Sequence, residues 1–335
     1  MVIRMRFLDE RELKVTSNPE LEWNIANSSA EWFSIEKQEG GVAVRVEPNK
    51  GGNERRGTFD IVVGDEDNCA VATINVLQIG PDTEELIYEI ETTEPDWRVT
   101  AAPVLSYSGG GQIVVDWGDG SEVEEFVEVR ATHTYAEPGL YTITITGEAK
   151  SLEFGAENAI STELRNVISW GTLGYTTAVD MCLGCSRLEH IPNDVAGSFA
   201  HVKSFIGAFS CCESLREIPA GLFRYAAEAK RFEDCFSHTA SITAIPENLF
   251  ANCPAAEDFT YTFYATGTGV VDTNSTLSNF DQVRTMVDAG KLRSLPEGLF
   301  SNCSKIKQLD YVFGATAIES IPEGLFAKSS NATIL

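Results

Sequence analysis

The stretch Leu215-Arg216-Glu217-Ile218-Pro219-Ala220-Gly221-Leu222-Phe223 returns as Ile242-Thr243-Ala244-Ile245-Pro246-Glu247-Asn248-Leu249-Phe250, and again as Leu292-Arg293-Ser294-Leu295-Pro296-Glu297-Gly298-Leu299-Phe300. The apolar-proline step recurs at Pro192, Pro219, Pro246, Pro296 and Pro322, with spacings of 27, 27, 50 and 26 residues. The long step is one repeat plus 23 residues, which places an insertion at about 265–290. Other columns keep the same register. Thirteen residues past the proline stand Phe205, Phe232, Phe259 and Leu309, and seventeen past it Phe209, Phe236, Phe263 and Phe313. A unit of this size cannot bury its apolar residues alone, so successive copies are expected to stack into one continuous core. Each turn would give a short strand to one face and a helical or irregular segment to the other, since phenylalanines four apart suit one helical turn.

The repeat with its Leu/Ile-x-x-Ile/Leu pairs resembles the leucine-rich repeats of BspA-type bacterial surface proteins. Val167-Ile168-Ser169-Trp170-Gly171 is similar to the junction where such arrays begin, which implies an N-terminal cap. The first copy departs from the pattern, with Val195-Ala196 where Leu-Phe stands elsewhere.

Upstream of the repeat the period changes from long to two. Val42, Val44 and Val46 alternate with Ala43 and Arg45; Phe59, Ile61 and Val63 follow the turn-rich segment 48–53; a Val/Ile/Thr run covers 70–79. Short alternating strands between turn signals predict a β-sandwich. Trp23 and Trp32 are expected to fill its core, with a sugar-stacking platform as the alternative. Val15-Thr16-Ser17-Asn18, Trp23, Glu31-Trp32-Phe33-Ser34-Ile35 and Val76-Leu77-Gln78-Ile79-Gly80 resemble the BACON domain, an immunoglobulin-like module of Bacteroidetes surface proteins. The resemblance implies either glycan binding or a spacer.

Residues 84–148 carry a second β pattern. Ile113-Val114-Val115-Asp116-Trp117 runs into Gly118-Asp119-Gly120-Ser121, whose Asp-Gly pair predicts a chain reversal. His133-Thr134-Tyr135, Pro138-Gly139 and the alternating Leu140 to Thr146 follow. This set is similar to a PKD-type domain, an extracellular spacer or adhesive unit. Asp116 and Asp119 invite a Ca²⁺ or acid/base role; the simpler expectation is that both accept hydrogen bonds from turn N–H groups. The expected organisation is therefore multidomain: immunoglobulin-like all-β sandwiches at 1–81 and 82–148, then an α/β leucine-rich-repeat solenoid at 149–335.

Fifty acidic against 25 basic residues give a net charge of −25, spread along the whole chain. Such a surface repels phosphate backbones and anionic lipid, so nucleic acid is not an expected partner. No run approaches the roughly 18 apolar residues of a membrane span. Met1 to Glu10 lacks the apolar core and cleavage site of a secretory signal, so an export signal, if used, lies outside this sequence.

Eight cysteines, including Cys182-x-x-Cys185 and Cys211-Cys212, suggest zinc until the columns are compared. Cys253 and Cys303 share a column with Ala226 and Ser329; Cys182 stands where Phe209 and Phe236 stand. These are packing positions, so no metal is expected; a disulfide between adjacent turns is the alternative. The four histidines fall at unrelated registers, and no His-Glu-x-x-His, Gly-x-Ser-x-Gly or phosphate-binding glycine loop occurs. Catalysis and cofactors are not expected.

Solenoids bind through their strand-lined face or an inserted loop. The residues inside the Leu-x-x-Ile pairs are the outward candidates: Glu189 and His190, Arg216 and Glu217, Thr243, Arg293 and Ser294, and Glu319. Ser278 or Asn279 would cap a short helix in the insertion, carrying Phe280, Val283 and Val287 and ending at Gly290. The expected protein is a monomeric, cell-surface or extracellular adhesion or ligand-binding protein for a host protein or glycan. The alternative is a glycan-binding accessory protein acting through Trp23 and Trp32.

Overall fold

A computed structural model describes residues 2–5, 10–14, 23–29, 31–38, 41–47, 55–65, 68–78, 84–100, 111–127, 130–155, 161–269, 287–329 and 332. The chain divides into two compact units, Met1–Asp82 and Thr83–Leu335.

The first unit is all-β. Strands β1 (Val2–Met5), β7 (Asn68–Gln78), β6 (Arg55–Asp65) and β3 (Trp23–Ala26) form one sheet in that order, antiparallel except for β1 beside β7. Strands β2 (Glu10–Lys14), β5 (Gly41–Val46) and β4 (Phe33–Gln38) form an antiparallel second sheet. Both sheets send side chains into one apolar cluster: Trp23, Phe59, Ile61, Ile74 and Val76 from the first, Phe33, Val42, Val44 and Val46 from the second. Two sheets sharing one interior explain the period-two pattern, because each strand turns alternate residues toward that interior.

The second unit opens with a five-stranded antiparallel sheet in the order β11 (Glu124–Val127), β10 (Gln112–Asp116), β13 (Gly139–Glu148), β8 (Leu86–Thr92) and β14 (Leu164–Trp170). A two-stranded ribbon, β9 (Trp97–Thr100) with β12 (Thr132–Tyr135), lies outside it. Strand β14 comes from beyond the expected boundary at 148/149, yet it pairs with β8, and one apolar cluster runs without a break from Leu86 to Leu325. All seven residues of β14 are buried, so it shows no alternation. Its Asn166 also makes a parallel bridge to His190, so the same strand closes the sheet and starts the repeat.

After β14 the described backbone is made mainly of turns. Parallel bridges join Ser204 to Arg231, Arg231 to Asp258, and Asp258 to Gln308, but these stay isolated and never extend into strands. No helix element occurs among the described residues; only Val287 and Asp288 have helical backbone. The α/β expectation for the C-terminal part is therefore corrected. The cause lies in the segments between phenylalanines four apart. Ala208 N–H donates to Phe205 O at 3.2 Å and Cys212 N–H to Phe209 O at 3.3 Å, closing two consecutive four-residue turns. Gly207 and Cys211, third in each turn, have φ of +59°. A left-handed residue at that place marks a type II turn and prevents the helix from propagating. The following copies repeat the device with Asp234 and His238, Tyr261 and Ala265, and Tyr311 and Ala315 at positive φ. Each of these non-glycine residues costs roughly 1–2 kcal/mol.

The amides so freed bond between copies. Phe209 N–H donates to Cys235 O, Phe236 N–H to Thr262 O, and Phe263 N–H to Val312 O, at 2.8–2.9 Å. The phenylalanine columns follow. Phe205, Phe232 and Phe259 stack at 5.4 and 5.3 Å with ring planes within 7°. Phe209, Phe236, Phe263 and Phe313 stack at 5.3, 5.6 and 5.7 Å. A third column joins Phe223, Phe250, Phe300 and Phe326. Trp170 heads the stack, 5.2 Å from Phe199 and 6.1 Å from Phe209, with its indole N–H on Pro192 O. Each later proline opens a tight turn, as in Leu222 N–H to Pro219 O. The insertion does not break the stack, because Asp258 still bridges Gln308 across 50 residues. Gly290 N–H closes on Val287 O. Ser278, Asn279, Phe280 and Val283 lie outside the described residues.

Candidate binding surface

The first four Leu-x-x-Ile pairs bury their ends and turn their middles outward; in the last, Ile318 is half-buried and Ile321 exposed. Leu215, Ile218, Ile242, Ile245, Leu292 and Leu295 are buried, whereas Arg216, Glu217, Thr243, Arg293, Ser294 and Glu319 are exposed and Glu189 and His190 half-buried. Backbone bonds set two pairs of them side by side, Arg216 N–H to Glu189 O and Glu319 N–H to Arg293 O, and Glu189 N–H donates to Arg165 O. Two charge pairs lace the surface. Arg216 reaches Glu189 at 2.5 Å, and Arg293 reaches Glu319 at 3.0 Å while also donating to Asp288 O. Next to them Arg165 and Arg187 converge on Glu91, at 2.5 and 2.6 Å. The exposed Arg216–Glu189 and Arg293–Glu319 pairs contribute little to stability, about 0–1 kcal/mol each.

The turn carboxylates take the simpler of their two expected roles. Asp116 Oδ1 accepts from Gly118 N–H at 2.9 Å and Asp119 Oδ1 from Ser121 N–H at 3.0 Å. Asp119 Oδ2 lies 2.8 Å from His133 Nε2, and that ring stacks on Trp117 at 4.9 Å. Partial burial opposes ionisation of Asp119, but the bonds from Ser121 and the nearby His133 outweigh it and hold the carboxyl down at about 2. Trp117 donates to Glu124 at 2.7 Å, and the buried Tyr135 hydroxyl donates to Trp117 O at 2.7 Å.

Among the described residues no group of three or more His, Cys, Asp or Glu side chains is placed to hold a metal ion. The seven cysteines from Cys182 to Cys303 are free, and all but Cys211 are buried. Burial pushes the thiols of Cys182, Cys212 and Cys235 far up, and that of Cys303 to about 12, which keeps them protonated. The disulfide alternative is not realised among them.

Trp23 belongs to the core of the first unit, and the Lys37 ammonium sits 4.2 Å above its ring. Trp32 is half-buried with its ring edge-on to Phe33 at 4.8 Å.

One group of surface residues lies outside the sequence-derived set. Tyr261 and Tyr311 stack at 5.1 Å with planes 7° apart, and Tyr264 meets Tyr261 edge-on at 5.3 Å. Tyr311 is 58% exposed. The signal was present in the columns: Tyr261 and Tyr311 occupy the left-handed position filled by Asp180, Gly207 and Asp234 in earlier copies.

No family model, curated protein or solved structure matches this chain. No helix among the described residues is long and apolar enough to cross a membrane.

Proposed function

We propose that the chain is a non-catalytic, surface-displayed binding protein whose C-terminal stack is a leucine-rich-repeat-type solenoid that presents the ligand-binding face. In this proposal the segments resembling BACON and PKD domains are stalk modules, and the partner is a host protein or glycan. The observation that carries the proposal is the recurrence of outward polar residues at Glu189, Arg216, Thr243 and Arg293, each between a buried leucine or isoleucine on either side, with Glu319 joined to Arg293 through its backbone N–H. A rigid interior beneath a variable polar surface suits recognition, because the side chains are positioned before the ligand arrives.

The test is a solid-phase assay of the whole chain against arrayed extracellular-matrix proteins and glycans. Arg216→Glu combined with Arg293→Glu should abolish capture of the partner while leaving the thermal midpoint within about 2 °C of the native value. Undiminished capture by that variant would remove the strip from the proposal, and no capture on either array would end it.

A further inference from the structure

Tyr261 and Tyr311 are bulky side chains at backbone positions that favour glycine, with φ of +55° and +50°. Earlier copies fill the same column with Gly207, whose φ is +59°, or with Asp180 and Asp234. Residues held in such conformations need a compensating gain, and when packing does not supply it the usual reason is function. Packing does not supply it at Tyr311, which leaves more than half its surface in water. The neighbouring rings extend the feature. Tyr264 lies across Gly314, where a Cβ would come within 2.9 Å of the ring, and the His238 ring stands 5.5 Å from Tyr264. One side of the turn stack thus carries three tyrosines and a histidine over adjacent copies, while the same side of the copy at 205–211 offers Ile206, Gly207, Ser210 and Cys211.

We propose that Tyr261, Tyr264 and Tyr311 form a binding platform for an uncharged polysaccharide. Aromatic surfaces take up the apolar C–H faces of sugar rings, and the phenol hydroxyls, like nearby carboxylates, bond the hydroxyls at the rim. Asp234 and Asp310 provide those carboxylates. Tyr261 N–H donates to Asp310 O at 2.9 Å, and Asp234 fills the left-handed place of Tyr261 one copy earlier, which sets both acids beside the rings. Their charge, within a chain of net charge −25, selects against uronate-rich or sulfated polymers. The ring recurs in two successive copies, Tyr261 and Tyr311, matching adjacent residues of a polymer better than a single sugar. This site deepens the proposed function and rests on it, while using residues separate from the arginine-glutamate strip.

The experiment is affinity electrophoresis of the whole chain through native gels containing soluble xyloglucan, galactomannan or mixed-linkage glucan, with polygalacturonate as the anionic comparison. At least one neutral polymer should retard the native chain, and polygalacturonate should not. Tyr311→Gly and Tyr261→Gly should each weaken retardation by about tenfold, as loss of a central aromatic does. Glycine relieves the left-handed backbone, so both variants should melt at or above the native temperature. Failure of every neutral polymer, native-like retardation of the glycine variants, or a lowered melting temperature would each overturn the platform. Capture of a matrix protein by the native chain, without any polysaccharide retardation, would overturn it too while leaving the proposed function standing.

Discussion

The sheet around Trp117 and the turn stack around Phe232 share one continuous core, but they are stabilised at different ranges. In the sheet, recognisable local words form the structure: Asp116 and Asp119 cap their own turn, and Tyr135 returns to Trp117 O. In the stack local bonds close only single turns, and the copies are joined by bonds from one to the next. The amides of Phe205, Phe209 and Phe232 all bond to the next copy, and each ring lies on its counterpart one repeat away. Sheet defects should therefore stay local, whereas stack defects should spread to two neighbours.

The largest expected effect is Phe232→Ala. This ring is fully buried between Phe205 and Phe259 and also meets Phe223 and Phe250 edge-on, so its loss should cost about 3–5 kcal/mol in denaturant unfolding. Hydrogen exchange should then quicken in the copies before and after it, and confinement of the change to 232–238 would break the comparison. Next comes a pair of glycines. Gly118 has φ of +76° and its added Cβ would lie 2.2 Å from Thr142 O, a backbone atom, so Gly118→Ala should cost about 2–4 kcal/mol. Gly207→Ala meets only the Asp180 carboxylate, which can swing aside, and should cost about 1–2 kcal/mol by thermal melting. Equal losses at the two sites would remove the distinction between rigid and yielding neighbours.

Tyr135→Phe removes the buried bond to Trp117 O and should cost about 1–2 kcal/mol without touching exchange rates in the stack. The smallest effect concerns acid. Asp119 titrates at about 2 when folded against 3.8 as its ordinary value, so its contribution is present above pH 4 and is lost as the pH falls through 2. Asp119→Asn should flatten the stability profile between those limits and leave the slope above pH 5 unchanged.

Much of this was legible in the sequence. The 27-residue period was, because Pro219, Pro246 and the phenylalanine columns mark it directly, and Asp116 and Asp119 announced their turn. The helical half of each repeat was misjudged because four residues separate Phe205 from Phe209 both in one helical turn and in one four-residue turn that leads into the next. Only residues tolerant of positive φ distinguish the two, and of these Gly207 and Asp234 are plain while Cys211 and Tyr261 are disguised. Strand β14 was visible as a junction but not as a sheet member, since covering both faces erases alternation. The tyrosine group escaped notice because no motif describes it; it emerges only when the left-handed column is read down the copies.

The parallel ladder between copies has a mechanical consequence. The amides of Phe205, Phe209, Phe232, Phe236 and Phe263 each donate to the following copy, so tension along the chain should peel copies singly instead of rupturing the whole array at once. Each release would pay out about 90 Å of slack, the extended length of 27 residues, while the remaining copies stay stacked.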